Sequence, residues 1–489
     1  MSNPNPLPIA TEKSQQSSAR PQSLRAAAVA LVGLSAVFLF EMLDNSILNV
    51  ALPTIGRELN ASTTGLQWVT GAYSVVFGGL MLLFSAIADR FGRRRVMLIG
   101  LTLLGLASMA TAFVTTDEQL IAVRATMGIA AAMTTPGAMA LAFRLFDGDA
   151  LRIRAITLIS TVGLVGLAVG PTVGGLVLAV APWQVLLLIN VPIAALAFVG
   201  IRVGIGRDVP AELHRDPLDI AGALLGTATI VLALVAPTLF VNEGMGSWSP
   251  WAASAGAVIA AILFVLRERS ARYPLLDLGL IALPLVSSGL AYKAATGLAI
   301  SGLGYMVTLQ LQFAWGWPPA LAAVGMLPQL VVLLAGGRLV GPFVTRVGLD
   351  RAAWISAAAV VLGLAVFAAG GRFGYAWVAV SLVLVAAGMR VVGVVAGTNV
   401  IRGLPENRTT IGAALVDTSS EVATGVGIAA TGTILAALFT GAISSPVWSA
   451  QQAATFQTGV TVAGFTLTAL AGALVAFGIA RSRPERPTR

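Results

Sequence analysis

The sequence holds no cysteine, a single histidine and only two lysines in 489 residues, and 10% of its residues are charged. Without cysteine there is no thiolate nucleophile, no disulfide and no cysteine metal site. His214 cannot build a metal site alone, so none is expected. Neither Lys13 nor Lys293 follows a glycine-rich loop or precedes Ser or Thr. The lysine that a P-loop sets on nucleotide phosphates is therefore missing. Any work this chain performs must draw on a gradient or a partner, and no cofactor is expected. Soluble domains carry about a quarter charged residues. Here 57% of residues are hydrophobic and the mean hydropathy is +0.88. A soluble enzyme, a secreted disulfide scaffold and a disordered adaptor are excluded. A membrane enzyme is disfavoured too, because no nucleophile–base constellation is present.

What is present is a succession of apolar stretches. Fourteen of them run from 26–53 to 457–480, each long enough for a hydrocarbon core of about 30 Å. The composition thus predicts an all-α polytopic membrane protein. Residues 1–25, rich in Pro, Ser, Gln and Asn, read as a disordered tail. No short apolar segment with a small-residue cleavage site precedes the first long one, so a cleaved signal peptide is not expected.

The net charge of +9 would suggest nucleic acid in a soluble chain, but its placement points to topology. With fourteen spans, nearly all arginines between segments fall on one side, among them Arg90, Arg93, Arg94 and Arg95, Arg202, Arg207 and Arg215, Arg267 and Arg269, and Arg481. The opposite loops carry Arg57 and Arg372. Basic loops stay in the cytoplasm. Both termini are therefore expected there, in a multi-pass protein of a bacterial cytoplasmic membrane, with no nucleic-acid partner.

An internal repeat follows. Segment 2 closes on Asp89-Arg90-Phe91-Gly92-Arg93-Arg94-Arg95, and segment 10 on a degenerate copy, Thr345-Arg346-Val347-Gly348-Leu349-Asp350-Arg351. Arg, Gly and Arg coincide at one offset. Repeated halves place a substrate site at the midplane between two rocking bundles. The expected division is a six-helix bundle over 26–205, an inserted stretch over 206–283 with segments 7 and 8, a second six-helix bundle over 284–480, and a basic tail over 481–489.

Four motifs carry a family resemblance. Segment 1 reads Leu43-Asp44-Asn45-Ser46-Ile47-Leu48-Asn49-Val50-Ala51-Leu52-Pro53, the Asp89–Arg95 loop follows segment 2, and segment 4 holds Arg124-Ala125-Thr126-Met127-Gly128. Segment 5 carries Gly163, Gly166 and Gly170-Pro171-Thr172-Val173-Gly174-Gly175. In this order the four resemble the major facilitator superfamily and its fourteen-helix drug:proton antiporters. Ser85 and Met127 stand where that family usually has Gly and Gln. The resemblance implies alternating access driven by a proton gradient, export of a small lipophilic substrate, and a monomer in the lipid bilayer. It assigns proton coupling to Arg124 and gating to Asp89, Arg90, Gly92 and Arg93 and to Gly170, Pro171, Gly174 and Gly175. Physically, an acid beside that arginine run can cap a helix N-terminus and pair with Arg. The glycine spacing lets a neighbouring backbone approach closely.

Four acids fall inside predicted spans: Glu41 and Asp44 in segment 1, and Asp417 and Glu421 in segment 13. At the bilayer centre each costs about 2.5–3.5 kcal/mol, which marks it as functional by default. Spacings of three and four put each pair on one helix face, where two like charges do not both ionise readily. Such carboxyls can take a proton from one side and release it to the other. The bland alternative is static pairing with the four cations in spans, Arg124, Lys293, Arg338 and Arg390. Asp417-Thr418-Ser419-Ser420-Glu421 further resembles the acidic pair of quaternary-ammonium pumps. That likeness implies recognition of cationic drugs. Leu333 stands near the position where those pumps carry a further acid for dications. Tyr73 and Tyr305 are deep enough to line a cavity, whereas Trp183, Trp248, Trp251, Trp315, Trp317 and Trp377 are expected in the interfacial belt.

The expected function is export of lipophilic cations against protons, with Asp44, Asp417, Glu421, Tyr73, Tyr305 and Arg390 around the substrate. Two rivals stay open. One is an exporter of anionic or zwitterionic amphiphiles held by Lys293, Arg338 and Arg390; the other is a membrane sensor that does not transport.

Overall fold

The computed structural model describes residues 23–146, 149–208, 219–272, 274, 278–404, 409–439, 443 and 448–482. His214 and Lys13 lie outside the described residues. The spans are α1 Ala28–Glu58, α2 Thr63–Phe91, α3 Arg93–Ala110, α4 Asp117–Arg144, α5 Asp149–Leu178, α6 Gln184–Gly204 and α7 Ile220–Glu243. They continue with α8 Trp248–Ser270, α9 Pro284–Leu309, α10 in the pieces Pro319–Gly325, Leu327–Ala335 and Gly337–Val347, α11 Leu349–Gly370, α12 Tyr375–Gly403, α13 Thr409–Leu438 and α14 Ala450–Ser482. Twelve single helices and two bent pairs, in α2 and α10, are long and apolar enough to cross a membrane, which makes fourteen spans. Helix starts are set by short polar side chains. Ser62 accepts from the Gly65 amide at 2.9 Å, and Thr116 accepts from Gln119 at 3.3 Å ahead of the acidic first turn Asp117–Glu118.

The packing repeats. In the first half α1 lies on α5 and α6, α2 on α4, and α3 on α4 and α6. Eight helices later α9 lies on α13 and α14, α10 on α12, and α11 on α12 and α14. The backbone repeats as well: Gly92 between α2 and α3 has φ +105°, and Gly348 between α10 and α11 has φ +84°. Only glycine enters that region at little cost, which explains why it survives in both copies of the loop. The extra pair, α7 and α8, packs together, and α7 also touches both α2 and α13.

Between the halves the contacts are α2 with α13, α5 with α10, and α1 with α9. The contacts that can be named run from mid-membrane to the arginine-poor face. There Gly78 adjoins Val422 and Gly425 adjoins Val75, and Gly432 takes the stem of Gln67, whose Cγ would stand 2.5 Å from a Cβ. Gln67 Nε2 donates to Thr238 of α7 at 3.2 Å and to Thr433 of α13 at 3.4 Å. A π-helical turn, Gln310–Ala314, ends α9 and aims Gln312 across the seam, where Nε2 donates to the Val50 carbonyl at 2.8 Å. By contrast α4 and α12, equivalent helices of the two halves, make no extended contact among the described residues. Among the described residues, the Gln67 and Gln312 contacts hold the two halves together on the arginine-poor side.

One expectation fails here. Trp183 is fully buried in the core instead of sitting in an interfacial belt. It caps the turn between α5 and α6, where Leu186, Leu187 and neighbouring helices cover it. Trp248, Trp251 and Trp377 are exposed.

Candidate functional site

The centre is built from the middle of α1. Its glycine-rich neighbour α5 packs closely against it: Gly163 faces Phe38 and Met42, Gly166 faces Leu39, Gly170 faces Ser46, and Gly174 faces Ile47. Ser46 Oγ in turn donates to the Gly166 carbonyl at 3.3 Å. The stripe therefore lies against the very stretch that carries Glu41 and Asp44. Gly175 turns elsewhere, onto Pro319 and Ala323 of α10 in the other half, where a Cβ would meet Ala323 Cβ at 2.6 Å. Pro171 sits inside α5 without ending it.

Asp44 is fully buried and held by two partners. Arg124 Nη1 of α4 donates to Oδ2 in a short ion pair, and Asn190 Nδ2 of α6 donates to Oδ1 at 2.7 Å. Arg124 is fixed on its other edges: Nε donates to the Val69 carbonyl at 3.3 Å, and the guanidinium stands 4.7 Å over the Tyr73 ring. Met127, in the place usual for Gln, sets its sulfur 4.0 Å from Nη1. Glu41, one helical turn away and also buried, accepts from Thr135 Oγ1 at 2.9 Å.

From the other half, α13 brings Asp417 and Glu421. Glu421 is buried, and its Oε2 has no hydrogen-bond partner. Its Cβ adjoins Gly78 of α2 at the seam. Glu41 feels the charges of Glu421, Asp417 and Lys293, and Glu421 feels those of Asp417 and Lys293. The acids of α1 and α13 thus lie within electrostatic range of one another and of Lys293 of α9. The ion pair of Asp44 with Arg124 cancels itself. Three carboxyl groups then face one ammonium, a surplus of two negative charges when all are ionised.

Among the described residues, the member of the four cations held in a named ion pair is Arg124. Arg338 is exposed, and Arg390 is half-buried against Gly337. Tyr73 and Tyr305 are both fully buried, each with a hydroxyl that lacks a protein partner. Sequence reasoning missed Asn190, Thr135 and the Val69 carbonyl, which are neutral polar groups with nothing unusual in their neighbourhoods.

The arginine loop is organised within the first half. Arg93 Nε donates to Asp89 Oδ1 at 2.6 Å, and Arg90 stands 5.8 Å over Phe91. The N-terminus of α3, however, is capped by Asp208, which accepts from the Arg94 and Arg95 amides at 3.2 and 3.1 Å. Gly92 turns those amides towards the chain after α6, and a Cβ there would stand 2.3 Å from Asp208 Oδ2. Asp89 thus takes the arginine while Asp208 takes the cap. An acid in a polar loop gives no sequence signal of that role.

Two pseudo-symmetric helical bundles around a buried polar centre are the architecture of a membrane transporter. Residues 34–428 match the sequence pattern of the Major Facilitator Superfamily, and the chain belongs to that family. It is 31% identical over 425 residues to the methyl viologen resistance protein SmvA of Salmonella typhimurium, covering 85% of this chain and 84% of that one. It is 34% identical over 323 residues to the cephamycin export protein CmcT of Amycolatopsis lactamdurans, covering 65% of this chain and 66% of the relative. The chain therefore spans just under two thirds of CmcT and more than four fifths of SmvA. Among solved structures, a POT family transporter in complex with 5-aminolevulinic acid superposes with a TM-score of 0.66 at 13% identity over 94% of this chain and 97% of that one. That likeness concerns the fold alone. The protein is a superfamily transporter with drug-export and resistance relatives, and not an enzyme.

Proposed function

We propose that the protein is a proton-coupled antiporter that exports lipophilic cations across a bacterial cytoplasmic membrane. The observation that carries this reading is the balance of charge at the centre: among the described residues Glu41, Asp417 and Glu421 lie within electrostatic range of one cation, Lys293, while Asp44 is paired with Arg124. A centre with surplus carboxylates attracts either a cation or protons, and the two compete. The arginine-rich side is cytoplasmic, and the contacts across the arginine-poor side support an inward-facing state. A cation enters from the cytoplasm and the adjoining bilayer and settles among the carboxylates. After the bundles rock, protons from outside displace it. Return to the inward state releases the protons to the cytosol.

In this reading Asp44 and Arg124 form the switch. Loss of this ion pair releases Arg124, so a change of charge on α1 alters how α4 is held. Each pH unit supplies about 1.4 kcal/mol per proton, and each 100 mV about 2.3 kcal/mol per charge. Two protons at ordinary gradients sustain a several-hundredfold concentration ratio. Methyl viologen resistance in one relative and cephamycin export in another support export as the direction. The test is ethidium uptake into inverted vesicles with an acid interior. Uptake that collapses with nigericin and falls in Glu421→Gln supports the reading; uptake equal to empty vesicles removes it.

A further inference from the structure

The deep cation on α12 has no acid to answer it. Arg390 lies at mid-helix with its guanidinium against the α10 backbone, where a Cβ on Gly337 would stand 2.4 Å from Nη2. Its Nε lacks a hydrogen-bond partner, and among the described residues no ion pair to it can be named. This contrasts with Arg124, which has four fixed neighbours.

Its position is set by helical periodicity. Leu333 of α10 and Ala386 of α12 pack with Ala168 of α5 in a buried cluster where the two halves meet. Arg390 follows Ala386 by four residues in the unbroken α12, on the same face and one turn nearer the arginine-rich side, and its guanidinium meets Gly337, the first residue past the break in α10. Arg390 thus lies one turn on the arginine-rich side of this cluster between the halves. The α10 helix breaks at the same level: Leu327–Ala335 and Gly337–Val347 are bent by 62°. Arg338, exposed and next to Gly337, adds positive potential there. A guanidinium presents a planar fork matched to carboxylate, sulfonate or phosphate. An unpaired one at this depth is a functional residue by default, and no described side chain supplies its anion.

We propose that Arg390 is an anion subsite of the transport centre. It receives the carboxylate, sulfonate or phosphate of an amphiphile whose cationic end lies at Glu41, Asp417 and Glu421, so that zwitterions are carried as well as simple cations. The proposal rests on the cation site of the preceding subsection. The same anionic chemistry also occurs on lipid headgroups, and the experiment separates the two sources.

Purified full-length protein in dodecyl maltoside is titrated by fluorescence anisotropy with rhodamine 6G, a cationic ester, and with rhodamine 19, its zwitterionic free acid. Arg390→Gln is expected to weaken the free acid about tenfold, the worth of a hydrogen bond to a charged group, and to leave the ester within about twofold. Arg390→Lys restores part of the loss. Unchanged ester binding also shows that the variant is folded. A free acid that does not bind the wild type, or binds Arg390→Gln equally well, overturns the subsite. If Arg390→Gln loses phosphatidylglycerol binding while free-acid affinity is unchanged, the residue serves a lipid headgroup and the proposal is likewise overturned. Failure of the ester to bind the wild type strikes instead at the cation site.

Discussion

The guanidinium of Arg124 on α4 is clamped to the carboxylate of Asp44 on α1, with 1% and 0% of their side chains exposed. Breaking one member of a buried pair leaves an uncompensated charge and costs about 3–5 kcal/mol. Arg124→Gln should therefore lower the thermal midpoint of the purified protein markedly. The double variant Asp44→Asn, Arg124→Gln carries no charge there and should recover much of the loss. Neither should couple substrate to protons. Equal destabilisation in the single and double variants, followed by intrinsic fluorescence, would count against a mutually dependent pair.

Gln312 makes a side-chain hydrogen bond across the seam to the Val50 carbonyl. Such a bond contributes about 0.5–1.5 kcal/mol, so Gln312→Ala should loosen the arginine-poor gate several-fold. The absence of cysteine makes this measurable, since Asn49→Cys would be the sole thiol. Labelling of that thiol from outside by a membrane-impermeant maleimide should quicken when Gln312→Ala is added. An unchanged rate would show that the bond does not hold the gate.

The glycines of α5 divide by what they face. Gly170 meets Ser46 within the first half, and Gly175 meets Ala323 of the second. Gly170→Val should impair folding, read as loss of a monodisperse peak in size-exclusion chromatography. Gly175→Val should fold and yet transport poorly, because the seam closes on a side chain with no room. Identical behaviour of the two variants would contradict this division.

Gly92 combines a left-handed backbone with contact to Asp208. Gly92→Ala pays about 1–2 kcal/mol for the backbone alone and also displaces the cap. Asp208→Ala loses a cap worth about 1 kcal/mol, whereas Asp208→Asn keeps most of it. The expected order of thermal midpoints is wild type, Asp208→Asn, Asp208→Ala, Gly92→Ala.

The parts legible in the sequence were those where chemistry conflicts with its surroundings. Asp44, Asp417 and Glu421 stand out because a carboxylate in an apolar span is costly, and Gly92 and Gly348 because a turn repeats. Asn190, Thr135 and Asp208 were invisible because their partners are set by how distant helices pack. The break in α10 at Gly336 and Gly337 gave no signal either, since paired glycines are common in membrane helices. Trp183 misled because a tryptophan at a helix end usually marks the interface, and here a turn is folded under neighbouring helices.

The central claim is that protons and a lipophilic cation compete for the same carboxylates. The most direct measurement is proton release on adding tetraphenylphosphonium to purified protein in weakly buffered detergent, read with a pH-sensitive dye. The account predicts release that saturates with binding and falls in Glu421→Gln. Binding without release, or release of the same size in Glu421→Gln, would contradict it.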